Sequence, residues 1–196
     1  FKQFAFQSIT TKQFAEDLQY HLINQGSREI RLPVKQWLNE PGIPEDAWQA
    51  SSDAFANVEA QVSGWLAGRA PVSSMKASNW TTHEWLHMLN LLPAELGTAK
   101  MGQLDGAFHL TRTGNSEILC KWLELAVGNG YEAAYPRLSE FLTSQGRRKF
   151  LRPLYSALAK TPEGRKRAEA IYKKARPGYH PISVSSIDEI LGYSAD

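Results

Sequence analysis

From residue 115 to residue 181 the chain alternates helix-start and helix-stop signals so closely that only short antiparallel helices can connect them. Asn115 or Ser116 can cap a helix with Ile118, Leu119, Trp122, Leu123 and Val127 on one face, and Gly128-Asn129-Gly130 closes it. A second helical run over 132–144 tolerates Pro136 only in its first turn and stops at Gly146. Pro153 sets the start of the next, over 150–160, near 149–150. Thr161-Pro162 then read as N-cap and first helical residue of a helix to Ala175. RPGYHP at 176–181 breaks that helix, and a last short one is expected over 186–191.

The same grammar continues upstream. Ile9, Thr10, Gln13 and Phe14 hold the positions of a capping box and a hydrophobic staple, followed by Leu18, Leu22 and Ile23 on one face and Gly26 as terminator. A short helix is expected around 34–38. Ser52 or Asp53 can open a helix to Gly68, with Phe55, Val58, Val62, Trp65 and Leu66 inward. Another short helix falls within 94–108, carrying Leu96, Met101, Leu104 and Phe108. No stretch alternates with period two. Short connections between successive helices predict an all-α fold, an irregular α-solenoid built as an armadillo- or HEAT-like stack of antiparallel helices. One helical domain over 1–196 is expected.

Composition narrows the class without naming it. Hydrophobic residues make up 42% and charged residues 21% of the chain, ordinary for a globular protein. No apolar run approaches the ~20 residues of a membrane span, and no signal peptide is evident. Cys120 is the single cysteine, so no internal disulfide forms, which suits a reducing, cytoplasmic setting. The chain opens without Met, at FKQFAFQS, in the manner of a piece of something longer.

Residues 83–87 read HEWLH, the H-E-x-x-H of zinc hydrolases, in which two His at i and i+4 bind metal and the Glu serves as base. A third ligand is missing at the usual spacings. Asn90 and Pro93 stand where the extended motif needs Gly and His, and no Glu lies between Glu95 and Glu117; Asp105 is a less usual substitute. A structural reading explains more. Thr81 and Glu84 fit the capping box S/T-x-x-E, with Trp80 and Trp85 as its staple. His83, Glu84 and His87 are therefore read as an incidental match, and no metal is assigned to this chain.

Charge is uneven. Between 141 and 180 the basic residues are opposed by Glu163 and Glu169 alone. Arg147, Arg148 and Lys149 cluster at a helix start, where free amide groups and the helix dipole favour anions and disfavour cations. That cluster reads as an anion-docking turn, whereas Arg165, Lys166 and Arg167 read as a solvated face. A stand-alone helical-repeat interaction module with a basic anion-binding surface is the alternative; the basic residues are not interleaved with a repeated aromatic pattern, which argues against nucleic acid.

NSEILCKWLELAV (115–127), FLTSQGRRKFLRPLYSALAKTPEGR (141–165) and ARPGYHPIS (175–183) resemble the C-terminal helical domain of the leukotriene A4 hydrolase and aminopeptidase B type zinc aminopeptidases. SITTKQFAEDL (8–18) and WLNEPGIP (37–44) resemble the start of that domain, and about 45–79 is the variable stretch. The resemblance implies that the zinc, its H-E-x-x-H and its third Glu ligand belong to a separate upstream catalytic domain, the main partner of this chain. It also implies that Arg147 and Lys149 hold the carboxylate of a peptide substrate at the far end of the channel, with no role for Arg148. The chain alone would then be inactive, and neither nucleic acid nor membrane is an expected partner.

Overall fold

The computed structural model of the chain describes residues 2–24, 33–45, 47 and 51–194. They form two compact units, 1–51 and 52–196, and among the described residues no strand occurs. The predicted terminator Gly26 lies outside the described residues.

The first unit contains α1 (Thr11–Leu18), which loosens into a π-helical turn at Gln19–Ile23, and α2 (Val34–Asn39). Thr10 caps α1 as the spacing predicts: its side chain accepts from the Gln13 amide, and Gln13 accepts the Thr10 amide in return at 2.8 Å. Neither helix contains a buried residue. Phe14, expected on an inner face, is exposed.

The second unit contains α3 (Ala54–Leu66), α4 (Thr82–Leu91), α5 (Thr98–Phe108), α6 (Ser116–Gly128), α7 (Tyr135–Ser144), α8 (Arg148–Leu158), α9 (Pro162–Ala175) and α10 (Pro181–Leu191). One continuous core joins them, centred on Trp122, Tyr155, Tyr172, Met88 and Leu104, all fully buried. The expected inward stripe of α3 holds for Val58, Val62 and Trp65, whereas Phe55 is 44% exposed and stacks its ring on His87.

Helices α4, α6, α8 and α10 pack in succession as one layer, and α7 packs on α9 as another. Bonds between first turns give the first layer a common direction. The Asn115 side chain, cap of α6, donates to Thr82 Oγ1 at the start of α4 at 2.9 Å. Lys149 in the first turn of α8 meets Glu117 in the first turn of α6. Ser183 in the first turn of α10 donates to the carbonyl of Gly146, just ahead of α8, at 3.0 Å. Four helix N-termini therefore lie along one edge of this layer.

Several boundaries differ from the sequence reading, each for a local reason. Residues 132–134 form a 3₁₀ turn, and α7 begins at Tyr135 with Pro136 in its first turn, where a missing N–H costs nothing. Helix α8 starts at Arg148, so Pro153 lies beyond the first turn and supplies no N–H to the Lys149 carbonyl. The packed core around Leu151, Leu154 and Tyr155 outweighs that lost bond. Helix α10 begins at Pro181, not near 186, because Pro at the first helical position is favoured and His180 caps it through Nδ1, accepting the Ile182 amide at 3.2 Å. The run 165–167 is not merely solvated. Arg165 donates to the Leu191 carbonyl at 3.0 Å, and the Arg167 guanidinium lies 4.5 Å from the Tyr135 ring centre.

Candidate functional site

In HEWLH the glutamate is held by its own helix start. Thr81 caps α4, accepting the Glu84 amide, while Glu84 Oε2 accepts the Thr81 amide at 2.8 Å and the Thr81 hydroxyl at 2.7 Å. These two bonds, the amide's first, hold the Glu84 carboxyl below the usual carboxylate range. Trp80 and Trp85 close the staple edge-to-face at 5.0 Å. His87 Nε2 lies 2.8 Å from Glu59 Oε1 on α3, and His83 is exposed. Asp105, the less usual third ligand, is also engaged: it accepts from the Thr111 amide at 2.8 Å, the Thr111 hydroxyl at 2.7 Å and the Tyr131 hydroxyl at 3.2 Å. Among the described residues no three His, Cys, Asp or Glu side chains are grouped to hold a metal ion. The donors present here do not fit a zinc site.

The basic turn is built differently. Gln145 ends α7 in an extended conformation, and the chain passes through Gly146 to Arg147, which stands at the N-cap position of α8. Thr81, Asn115, Thr161 and His180 cap α4, α6, α9 and α10 with a side-chain acceptor, whereas α3, α5, α7 and α8 have no side-chain cap. At α8 a guanidinium occupies the place of an acceptor, so the leading amides of the helix and Arg147 share a preference for an anion.

Arg147 and Lys149 are brought together over a single ring. The Arg147 guanidinium carbon lies 5.6 Å and Lys149 Nζ 5.7 Å from the Phe150 centroid, and Phe150 itself is buried against Phe141. Lys149 Nζ also donates to Glu117 Oε1 at 2.6 Å. Arg148 turns the other way, its Nε donating to Ser186 Oγ on α10 at 2.6 Å.

Phe150, Glu117, Ser183 and Ser186 were not legible as site residues. Phe150 belongs to an ordinary apolar stripe, and the other three lie more than 30 residues from the turn they touch. Nothing local in the sequence marks those pairings.

Of the basic residues between 141 and 180, Arg147, Arg148, Lys149, Arg165, Arg167 and Arg176 contact groups within the fold. Arg176 meets Asp188 with two hydrogen bonds, 2.9 and 3.2 Å. Of these cations, Lys149 and Arg176 are offset by carboxylates, Glu117 and Asp188, and the others keep their charge. No helix among the described residues is long and apolar enough to cross a membrane.

These features define an all-helical stack with a cation-bearing turn on the edge where its helix N-termini align. The solved structure of native yeast LTA4 hydrolase shares this fold, with a TM-score of 0.71 over 98% of this chain and 34% of that chain at 22% identity. The chain belongs to the family described as leukotriene A4 hydrolase, C-terminal, whose model matches residues 80–191. It is 26% identical to leukotriene A-4 hydrolase of Xenopus laevis over 99% of its own length and 33% of that protein's. It is 26% identical to leucine aminopeptidase 2 of Yarrowia lipolytica, covering 97% of this chain and 31% of that protein. Against aminopeptidase B of Mus musculus the figures are 25% identity, 96% and 31%. The chain thus spans about a third of the length of the curated relatives it matches.

Proposed function

We propose that this chain is the C-terminal domain of a zinc-dependent aminopeptidase and that Arg147 and Lys149 hold the free carboxylate of a short peptide while its N-terminus reaches the catalytic part of the enzyme. The parent removes N-terminal residues from peptides, in the cytoplasm. Zinc would supply the water-activating chemistry, in a catalytic domain outside this chain. The domain's own work is to shape the far end of the substrate channel and to fix the length of peptide that fits.

One observation carries the reading: Arg147 and Lys149 flank the Phe150 ring at an uncapped helix start, on the edge where the first turns of α6, α8 and α10 meet. Each N-terminus adds roughly half a positive charge. A carboxylate placed there would gain helix amides, a guanidinium fork and an ammonium together. The names of the relatives, two of them aminopeptidases, support the substrate class. A basic interaction module is a weaker reading, because the family of the chain and the names of its relatives favour a peptidase domain.

The test is made in the full-length protein with a tripeptide and its C-terminally amidated twin. A hydrogen bond to a charged group contributes about 1.5–3 kcal/mol, so Arg147→Ala should lower kcat/KM on the free acid roughly 10- to 150-fold. On the amide the variant should match the wild type. Equal losses on both substrates would overturn the proposal.

A further inference from the structure

Among the described residues the two buried polar ones are Ser183 and Ser186, 2% and 8% exposed, both on α10. Buried hydroxyls are unfavourable unless bonded, and serine inside a helix is a poorer choice than alanine. Their bonds show why the hydroxyls are there. Ser183 Oγ donates to the Gly146 carbonyl at 3.0 Å, leaving its own helix to reach the turn before α8. Ser186 Oγ donates back to the Ile182 carbonyl at 2.9 Å, which aims its lone pair at Arg148 Nε, 2.6 Å away. One helix face thus grips the backbone on one side of Arg147 and the side chain on the other.

We infer that Ser183 and Ser186 are positioning residues for the carboxylate site, setting the turn 146–149 so that Arg147 faces the ligand. The inference rests on the proposal that Arg147 and Lys149 bind a peptide carboxylate. Gly146 lies ahead of the α8 ladder, and Arg147 enters it only through its carbonyl, which accepts the Phe150 and Leu151 amides, so the backbone before that carbonyl is set from outside α8 while the guanidinium rests over the Phe150 ring. Arg148, tied to Ser186, reaches toward α10, whereas Lys149 meets Glu117 on α6 and Arg147 lies over the Phe150 ring. The clamp therefore works through Arg148 without that residue touching substrate.

The experiment compares Ser183→Ala and Ser186→Ala in the full-length protein, using the free-acid tripeptide and its amide. Thr161→Ala, which removes the α9 cap away from the turn, serves as a control for general destabilisation. Each serine variant should raise KM on the free acid about 3- to 10-fold, less than the loss of Arg147 itself, because the groups that hold the carboxylate remain in place. KM on the amide should not move, and Ser186→Thr, which keeps the hydroxyl, should restore the free-acid value. Thr161→Ala should change neither substrate selectively. Unchanged KM in both serine variants, or an equal rise on acid and amide, overturns the inference. If Arg147→Ala remains acid-selective in those cases, the carboxylate reading stands without it. If Arg147→Ala shows no acid selectivity, the reading fails and the inference falls with it.

Discussion

Glu117 and Lys149 join the first turns of α6 and α8 through a 2.6 Å ion pair. The two charges are placed unequally. Glu117 lies where the α6 dipole favours a carboxylate, whereas Lys149 lies where the α8 dipole disfavours an ammonium. The glutamate therefore retains a cation that its own helix start would otherwise turn outward, and it takes one of the three ammonium donors. Lys149→Ala should lower kcat/KM on a free-acid tripeptide in the same direction as Arg147→Ala but less, since a shared point charge replaces a fork. Steady-state kinetics on both variants check the order, and a larger loss in Lys149→Ala would refute it.

The same pair is half exposed, with side-chain exposures of 55% and 33%. Pairs of that kind contribute about 0–1 kcal/mol to stability. Glu117→Gln should thus shift the denaturant midpoint only slightly. A loss above about 2 kcal/mol would mean that the pair is a structural keystone.

For HEWLH, dialysis of the chain against micromolar zinc followed by metal counting should give no stoichiometric ion. Glu84 is bonded to Thr81 and His87 to Glu59. One tightly held zinc, lost in His83→Ala or His87→Ala, would reverse this assignment.

Thr81→Ala should cost about 1 kcal/mol, the usual loss for an N-cap, measured by urea denaturation. The pH dependence has a definite sign. Glu84 is held down by the Thr81 bonds, and Asp188 by the Arg176 hydrogen bonds with the Tyr172 hydroxyl adding to them. Groups whose folded pKa is depressed stabilise the fold above their ordinary values, here 4.5 and 3.8, and that stability is lost as pH falls through the lower folded values. Glu84→Gln should therefore flatten the decline in thermal midpoint below about pH 4.5, and Asp188→Asn below about pH 3.8. An unchanged acid limb in both would contradict the bonding described.

Cys120 should resist alkylation in the folded protein. Burial, with Glu124 and Glu117 nearby, pushes its thiol up to about 12, and its sulfur lies 3.7 Å from the Phe150 carbonyl. Iodoacetamide at pH 8 should label it only after denaturant is added; rapid labelling of the native state would show that the α6–α8 contact opens.

What the sequence determined on its own is local. Thr10 with Gln13, Thr81 with Glu84 and Thr161 with Pro162 announce helix starts because the bonds involved span three residues or fewer, and spacing alone encodes them. The stop at Gly128-Asn129-Gly130 is equally local: Gly130 takes φ +63°, a conformation that glycine enters without strain, and the Tyr131 amide closes on the Ala126 carbonyl at 2.9 Å. From these starts, stops and apolar stripes an all-helical stack follows, and the family resemblance singled out Arg147 and Lys149. What the tertiary structure decided are the pairings across helices. His87 with Glu59, Lys149 with Glu117 and Arg148 with Ser186 are 28, 32 and 38 residues apart. Whether such groups meet depends on how far each helix is rotated and shifted against its neighbour. The packing of Trp122, Tyr155, Leu151 and the rest of the core sets that rotation, and no spacing along the chain records it.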